Sequence, residues 1–269
     1  MTEGLTLELT DAPWWIFRYD PNHNKIEVSR GVFEILWGCS YAYFVIYKRL
    51  FEGRRTEEAV VFDLRADPEL TAAALLLHWA VEQYLNHGDR EWSNELPRPV
   101  QKPVDGSHEH VADELCLVAF GFILHHEIAH HRLRHSPNPE AAIEMELDAD
   151  NGATDWLLGG LDQTDLRFLK RSLGIAIALV AMTGFAIHRG VLAAAEHPRS
   201  FDRLIHCLER HITHRDHKTW GFVAAVLKLH LDQAGIQVPA DVTYRSFHDA
   251  VDTYIEALAD LAEQSGRPT

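Results

Sequence analysis

From Glu109 onward the chain keeps helical spacing almost to its end, and this restricts the fold more than any other feature. Apolar residues recur at three- and four-residue intervals over approximately 109–135, 139–159, 164–189, 199–214, 217–234 and 243–264, with short polar or Pro/Gly breaks between. Strand signals are confined to the N-terminal part. Residues 14–20 and 25–30, rich in aromatic and β-branched side chains, flank a turn at Pro21–Asn24, and 59–65 carries paired valines. Helices are expected at 31–53, closed by Gly53, and at 68–88, ending at Gly88. The stretch 89–108 holds three prolines and no apolar period, so it reads as a surface loop. The expectation is a mainly α protein with a small N-terminal β element. No composition break divides residues 1–269, so one domain is expected, with a β/α part to residue 66 and a helical part over 109–269.

Hydrophobic residues make up 46% of the 269, enough for a large core. The formal net charge of −15 disfavours nucleic acid as a partner, because phosphate binding needs a basic footprint. Cys39, Cys116 and Cys207 are far apart and form no CxxC, which fits reduced thiols in a cytoplasmic protein. The N-terminus lacks the basic-then-apolar pattern of a signal peptide. The apolar run Leu173–Ile187 is shorter than the ~20 residues that a spanning helix needs, and a buried core helix is expected there.

The stretch Phe122–His135, FILHHEIAHHRLRH, carries five histidines. Within it His126-Glu127-Ile128-Ala129-His130 is the chain's one HExxH. Residues four apart share a helix face, so two imidazoles can hold one Zn²⁺ while Glu127 reaches a water at the metal. Catalytic zinc takes three protein ligands and a water, so a third ligand is required. If 109–135 and 139–159 form an antiparallel hairpin, with Asn138 and Pro139 starting the second helix, His130 lies ~7–8 Å before the turn and Glu146 ~10 Å after it. The two are nearly level. Glu146 is therefore the candidate third ligand. Asp150, one turn further and level with His126, can accept the outer N–H of a ligand histidine. Ala149, Ala153, Trp156 and Leu157 form an apolar stripe beside these two acids, whereas Glu140, Glu144, Asp148 and Asp155 are expected to face water. Only 15 residues separate His130 from Glu146, so the hairpin must be tight; otherwise Glu144 or Asp148 takes the ligand position.

HExxH followed by Glu146-Leu-Asp-Ala149-Asp150-Asn-Gly-Ala153 resembles the HtpX-type zincin peptidases with a glutamate third ligand. Their His-Pro followed by Arg has a counterpart in His197, Pro198 and Arg203. HtpX-type enzymes carry transmembrane helices. "IEVSRGVFEILWG", "HEIAHH" and "MELDADNGATDWLL" resemble instead the soluble Lit-type phage-exclusion peptidases. The resemblance implies an α+β zincin-like fold and a soluble intracellular zinc endopeptidase with a protein substrate, of the translation-factor class, in a phage-defence setting. It also implies that His197 or Arg203 approaches the active site, to orient Glu146 or stabilise the oxyanion.

The remaining histidines read as surface: His131 and His135 at a helix C-terminus, and His206, His211, His214 and His217 on a charged helix end and its turn. Cys116, in an apolar face, reads as core. The residues thus point to a zinc metallopeptidase: His126, His130 and Glu146 on the metal, Glu127 as general base, Asp150 behind the ligands, and a β-edge at 13–30 or 59–65 for an extended substrate. Two other readings remain open on the sequence. One is a non-catalytic zinc-stabilised interaction or sensor module. The other is a metal-dependent hydrolase of a non-peptide amide.

Overall fold

The computed structural model describes residues 4–53, 67–88, 91–134, 141–192, 198–238 and 243–265. Three short strands come first: β1 Thr6–Thr10, β2 Phe17–Asp20 and β3 Lys25–Ser29. Among the described residues eight helices follow: α1 Arg30–Gly53, α2 Pro68–Leu85, α3 His108–Arg132, α4 Ala142–Leu158, α5 Leu166–Arg189, α6 Ser200–Glu209, α7 Lys218–Gln233 and α8 Phe247–Ser265. The mainly α architecture with a small N-terminal sheet is therefore as the sequence predicts. The strand predicted over 59–65 lies outside the described residues, as does the turn at 135–140.

Two strand boundaries differ from expectation. The segment before Phe17 is not strand: Pro13 and Trp14 lie in a bend, and Ile16 meets Ser29, its carbonyl accepting from the Ser29 amide and its own N–H donating to Ser29 Oγ. β1 was not predicted at all. It pairs parallel with β3 in register Leu7↔Ile26 and Leu9↔Val28, while β2 pairs antiparallel with β3 on its other side. Leu7 and Leu9 are more than half exposed, so β1 is held by its backbone ladder rather than by burial.

The helix ends follow their local chemistry. Asp67 accepts from the amides of Glu69 and Leu70 ahead of Pro68. Ser107 accepts from the His110 amide and Asp165 from the Arg167 amide. Gly190 ends α5 in the left-handed region at φ 71°.

α5 is the axis of the bundle and packs on α1, α2, α3, α4, α6 and α7. It is the one helix among the described residues long and apolar enough to cross a membrane, and 72% of its apolar window is buried by the other helices. Its polar Ser172 and Thr183 return their hydroxyls to the carbonyls of Leu169 and Leu179. Gly174 lets α5 lie directly on α3, since a Cβ there would stand 2.4 Å from Val118 Cγ1. This close crossing fixes the helix that carries the HExxH motif.

Candidate metal centre and cleft

α3 and α4 lie side by side, and the site sits on their shared face. His126 Nε2 and His130 Nε2 face each other at 3.0 Å. Glu146 reaches both from α4, with Oε2 3.5 Å from His126 Nε2 and Oε1 3.4 Å from His130 Nε2. Glu146, not the exposed Glu144 or Asp148, is therefore the carboxylate opposite the histidines. The donor atoms of His126, His130 and Glu146 lie within 4.8 Å of one another and could hold a metal ion.

The chemistry of these donors fits such an ion. His126 Nδ1 donates to Asp150 Oδ1 at 2.9 Å, which commits that nitrogen and turns Nε2 toward Glu146. Two imidazoles and one carboxylate are a common donor set for zinc. Asp150 is fully buried and is held in turn by Arg203, which donates from Nε to Oδ2 and from Nη2 to Oδ1, both at 2.7 Å. The third guanidinium nitrogen, Nη1, lies 3.3 Å from Glu146 Oε2. Arg203 is 6% exposed, so a single buried guanidinium braces both acids of α4.

The local field is strongly perturbed. Burial pushes the His126 imidazole down, but the hydrogen bonds it donates to the Asp150 and Glu146 carboxylates outweigh this and raise its pKa to about 9. Burial acts to raise Asp150, yet Arg203 and His126 hold its carboxyl below the usual range. Glu127 is raised: protein atoms crowd its carboxyl, against a smaller opposing pull from His126 and His130.

Glu127 faces the cleft beside this cluster. Its Oε2 accepts the backbone N–H of Tyr19, on β2, at 2.7 Å. The Tyr19 hydroxyl lies 3.2 Å from His131 Nδ1, so β2 is pinned above α3 at two points. The cleft between β2, α3, α4, α5 and the start of α6 has a volume of about 710 Å³. His126, Glu127, His130, Glu146 and Arg203 all line it. Arg203 is thus in the cleft, whereas His197 lies outside the described residues. Sequence reasoning missed Tyr19, because a backbone amide leaves no trace in residue types.

Several lesser expectations are corrected. Trp156 is 58% exposed and stacks on His125 rather than joining the buried stripe of α4, which Leu158 joins instead. His131 is tucked under Tyr19, not on the surface; His135 is outside the described residues. His206 meets Asn151, His211 meets Asp155, and His217 caps α7 by accepting from the Thr219 amide, so each bonds across or caps helices. Asp155 is itself paired with Arg210 as well as His211. Cys116 is core, its thiol pushed up to about 12 by burial. A second cluster, Glu209, His248 and Asp252, has its imidazole between the two carboxylates, Nε2 2.9 Å from Glu209 and Nδ1 3.0 Å from Asp252, and both acid side chains are partly exposed.

Fold and site together define a class: mainly α proteins in which an HExxH helix and an acidic partner helix can hold one metal ion at the floor of an open cleft. The sequence model of the family described as Peptidase U49 matches residues 26–223, and the chain belongs to that family. It is 28% identical over 184 residues to a protein of Escherichia coli (strain K12) named Cell death peptidase, in an alignment covering 68% of this chain. The alignment spans 62% of that relative's length. No solved structure matches the chain.

Proposed function

We propose that the protein is a zinc-dependent endopeptidase acting on a protein substrate in the cytoplasm. Family membership and the relative's name support the peptidase reading. The observation that carries the metal-dependent part is the meeting of His126, His130 and Glu146 within 4.8 Å beside Glu127 in an open cleft. A purely structural zinc is usually closed by four protein ligands, and this cluster has three among the described residues. Zinc held there would supply Lewis acidity, polarising the scissile carbonyl and easing deprotonation of the attacking water.

The chain's own groups do the rest. Glu127 takes the proton from the attacking water as its oxygen bonds to the carbonyl carbon, and returns it to the amine nitrogen as the C–N bond breaks. Asp150 holds the His126 tautomer, and Arg203 holds Asp150 and Glu146 in place. Arg203 is therefore a positioning residue. Among the described residues β2 pairs with no strand on its outer side: Phe17, like Tyr19, points its N–H away from β3, and since Glu127 takes the Tyr19 N–H, an extended peptide would pair at Phe17. The Lit-type resemblance supports phage defence as the setting and a translation factor as the substrate class.

Two variants test the reading by zinc analysis and a cleavage assay. Glu146→Gln should lose zinc, since it removes a charged ligand. Glu127→Gln should keep zinc and lose hydrolysis. New protein N-termini should appear in cells expressing the wild type and be absent with Glu127→Gln. Retained biological activity in zinc-loaded Glu127→Gln would overturn the peptidase reading and favour an interaction module.

A further inference from the structure

We propose that an aromatic well next to the metal-binding cluster, with Arg189 at its mouth, selects polypeptide segments in which a bulky apolar side chain is flanked by an acidic one. This rests on the peptidase reading and gives it a substrate preference.

The well opens off the same cleft. Phe122, one helical turn before His126, leads from the metal-binding face into it. Its floor is Phe185, which is fully buried and stacks on Tyr84 with ring centroids 4.1 Å apart. Trp15 meets both rings edge-on, at 5.9 Å from Tyr84 and 6.2 Å from Phe185. Trp15, Tyr84 and Met182 remain partly exposed to the void. Concave, partly exposed aromatic walls of this kind lower their free energy by taking up an apolar group.

Charge supplies the second half. Among the described residues four arginines line the cleft, and its only carboxylates are Glu127 and Glu146. Three of the arginines are committed: Arg18 to Glu27, Arg199 to Asp202 and Arg203 to Asp150. Arg189 forms no ion pair among the described residues, and its guanidinium lies over the Tyr84 ring at 5.3 Å. As the last residue of α5 it also favours the helix dipole, but that role does not require the side chain to fold over the well. The Tyr84 ring attracts the guanidinium, and no carboxylate among the described residues engages its N–H groups, which can bind one. A net charge of −15 makes an uncommitted cation at an apolar mouth more conspicuous.

The test is binding, read without added zinc so that no peptide is consumed. Two fluorescent peptide pools share a central leucine and differ only in flanking it with aspartate or with lysine. Anisotropy gives the aspartate-to-lysine affinity ratio for wild type, Arg189→Ala, Arg189→Glu and a distant control, Arg167→Glu. Because the chain's overall charge favours the lysine pool everywhere, the readout is the change in that ratio. Arg189→Ala should lower it about two- to fivefold, as for one exposed charge pair, and Arg189→Glu should lower it further. Tyr84→Leu should weaken both pools, and the aspartate pool more, because it also releases Arg189. If Arg189→Glu shifts the ratio no more than Arg167→Glu, or if Tyr84→Leu changes nothing, the proposal is wrong. Zinc-loaded cleavage separates the two ideas: absent cleavage with the binding preference intact sinks the peptidase reading alone, whereas cleavage indifferent to Arg189 and flanking charge sinks the substrate preference alone.

Discussion

Two buried histidines, His126 and His230, show how the same side chain is put to opposite uses. Both are almost wholly shielded from solvent, at 6% and 0% exposure, on helices of the same core. His126 is surrounded by charge: Asp150 on one nitrogen, Glu146 near the other and Arg203 behind them. His230 is surrounded by neutral groups. The Tyr43 hydroxyl lies 2.7 Å from its Nε2, and His188 lies 3.3 Å from its Nδ1. Gly184 makes room for the ring, since a Cβ there would stand 2.5 Å from it. The outcome follows the partners. Carboxylates raise His126 to about 9, whereas burial with a small push from His188 lowers His230 to about 3. Burial alone does not set the protonation of a histidine; the charge placed around it does.

The sharpest way to break the comparison is to remove the charge at its centre. Asp150→Ala strands the buried Arg203 guanidinium and frees His126 Nδ1. It should cost about 3–5 kcal/mol in chemical denaturation, as for a broken buried pair. Zinc affinity should also fall about 10- to 100-fold, as when a partner behind a metal ligand is lost. A variant that keeps wild-type stability would show that the Asp150–Arg203 pair braces nothing.

Acid separates the two histidines next. The folded protein keeps His230 neutral, while the unfolded chain protonates it below its ordinary value of 6.5. The unfolded state therefore binds more protons in this window, and stability falls as pH drops from 6.5 toward about 3. Above 6.5 this contribution is constant. The slope from this one group approaches about 1.4 kcal/mol per pH unit. Denaturation midpoints of wild type and His230→Gln across pH 7 to 4 should converge on acidification; parallel curves would remove His230 as the cause.

Tyr43→Phe should cost less, about 1–3 kcal/mol, by leaving a buried imidazole nitrogen without its hydroxyl partner. The smallest effect is expected for Tyr19→Phe, about 0.5–1.5 kcal/mol, because the backbone bond to Glu127 survives and only the hydroxyl contacts with His131 and Asn24 are lost. A larger loss would mean that the His131 contact, rather than the strand ladder, holds β2 over the cleft.

The helical half was legible because helix geometry is rigid. Residue counts at a fixed rise put Glu146 opposite His130 and Asp150 opposite His126, and the structure has those pairs in contact. Arg203 was legible as a cleft residue only through its motif, and its main partner, Asp150, was not read. A local signal existed: Arg203 shares the buried face of α6 with Phe201, Leu204, Cys207 and Leu208, and a cation on such a face needs a buried acid. β1 left no comparable trace. Its partner β3 lies beyond an intervening strand, and its apolar residues stay exposed, so neither turn chemistry nor burial announces it.

The long sequence separations within the site carry a consequence for synthesis. Glu127 is held by a residue 108 positions earlier, and Asp150 is locked by one 53 positions later. Such distant contacts close late, after the local helices have formed. A chain emerging from the ribosome displays its HExxH helix well before Arg203 exists to brace the facing acids. Any activity of this cleft is therefore deferred until residue 203 has been made and has reached α4, so the nascent chain does not carry a working cleft while its HExxH helix is first exposed.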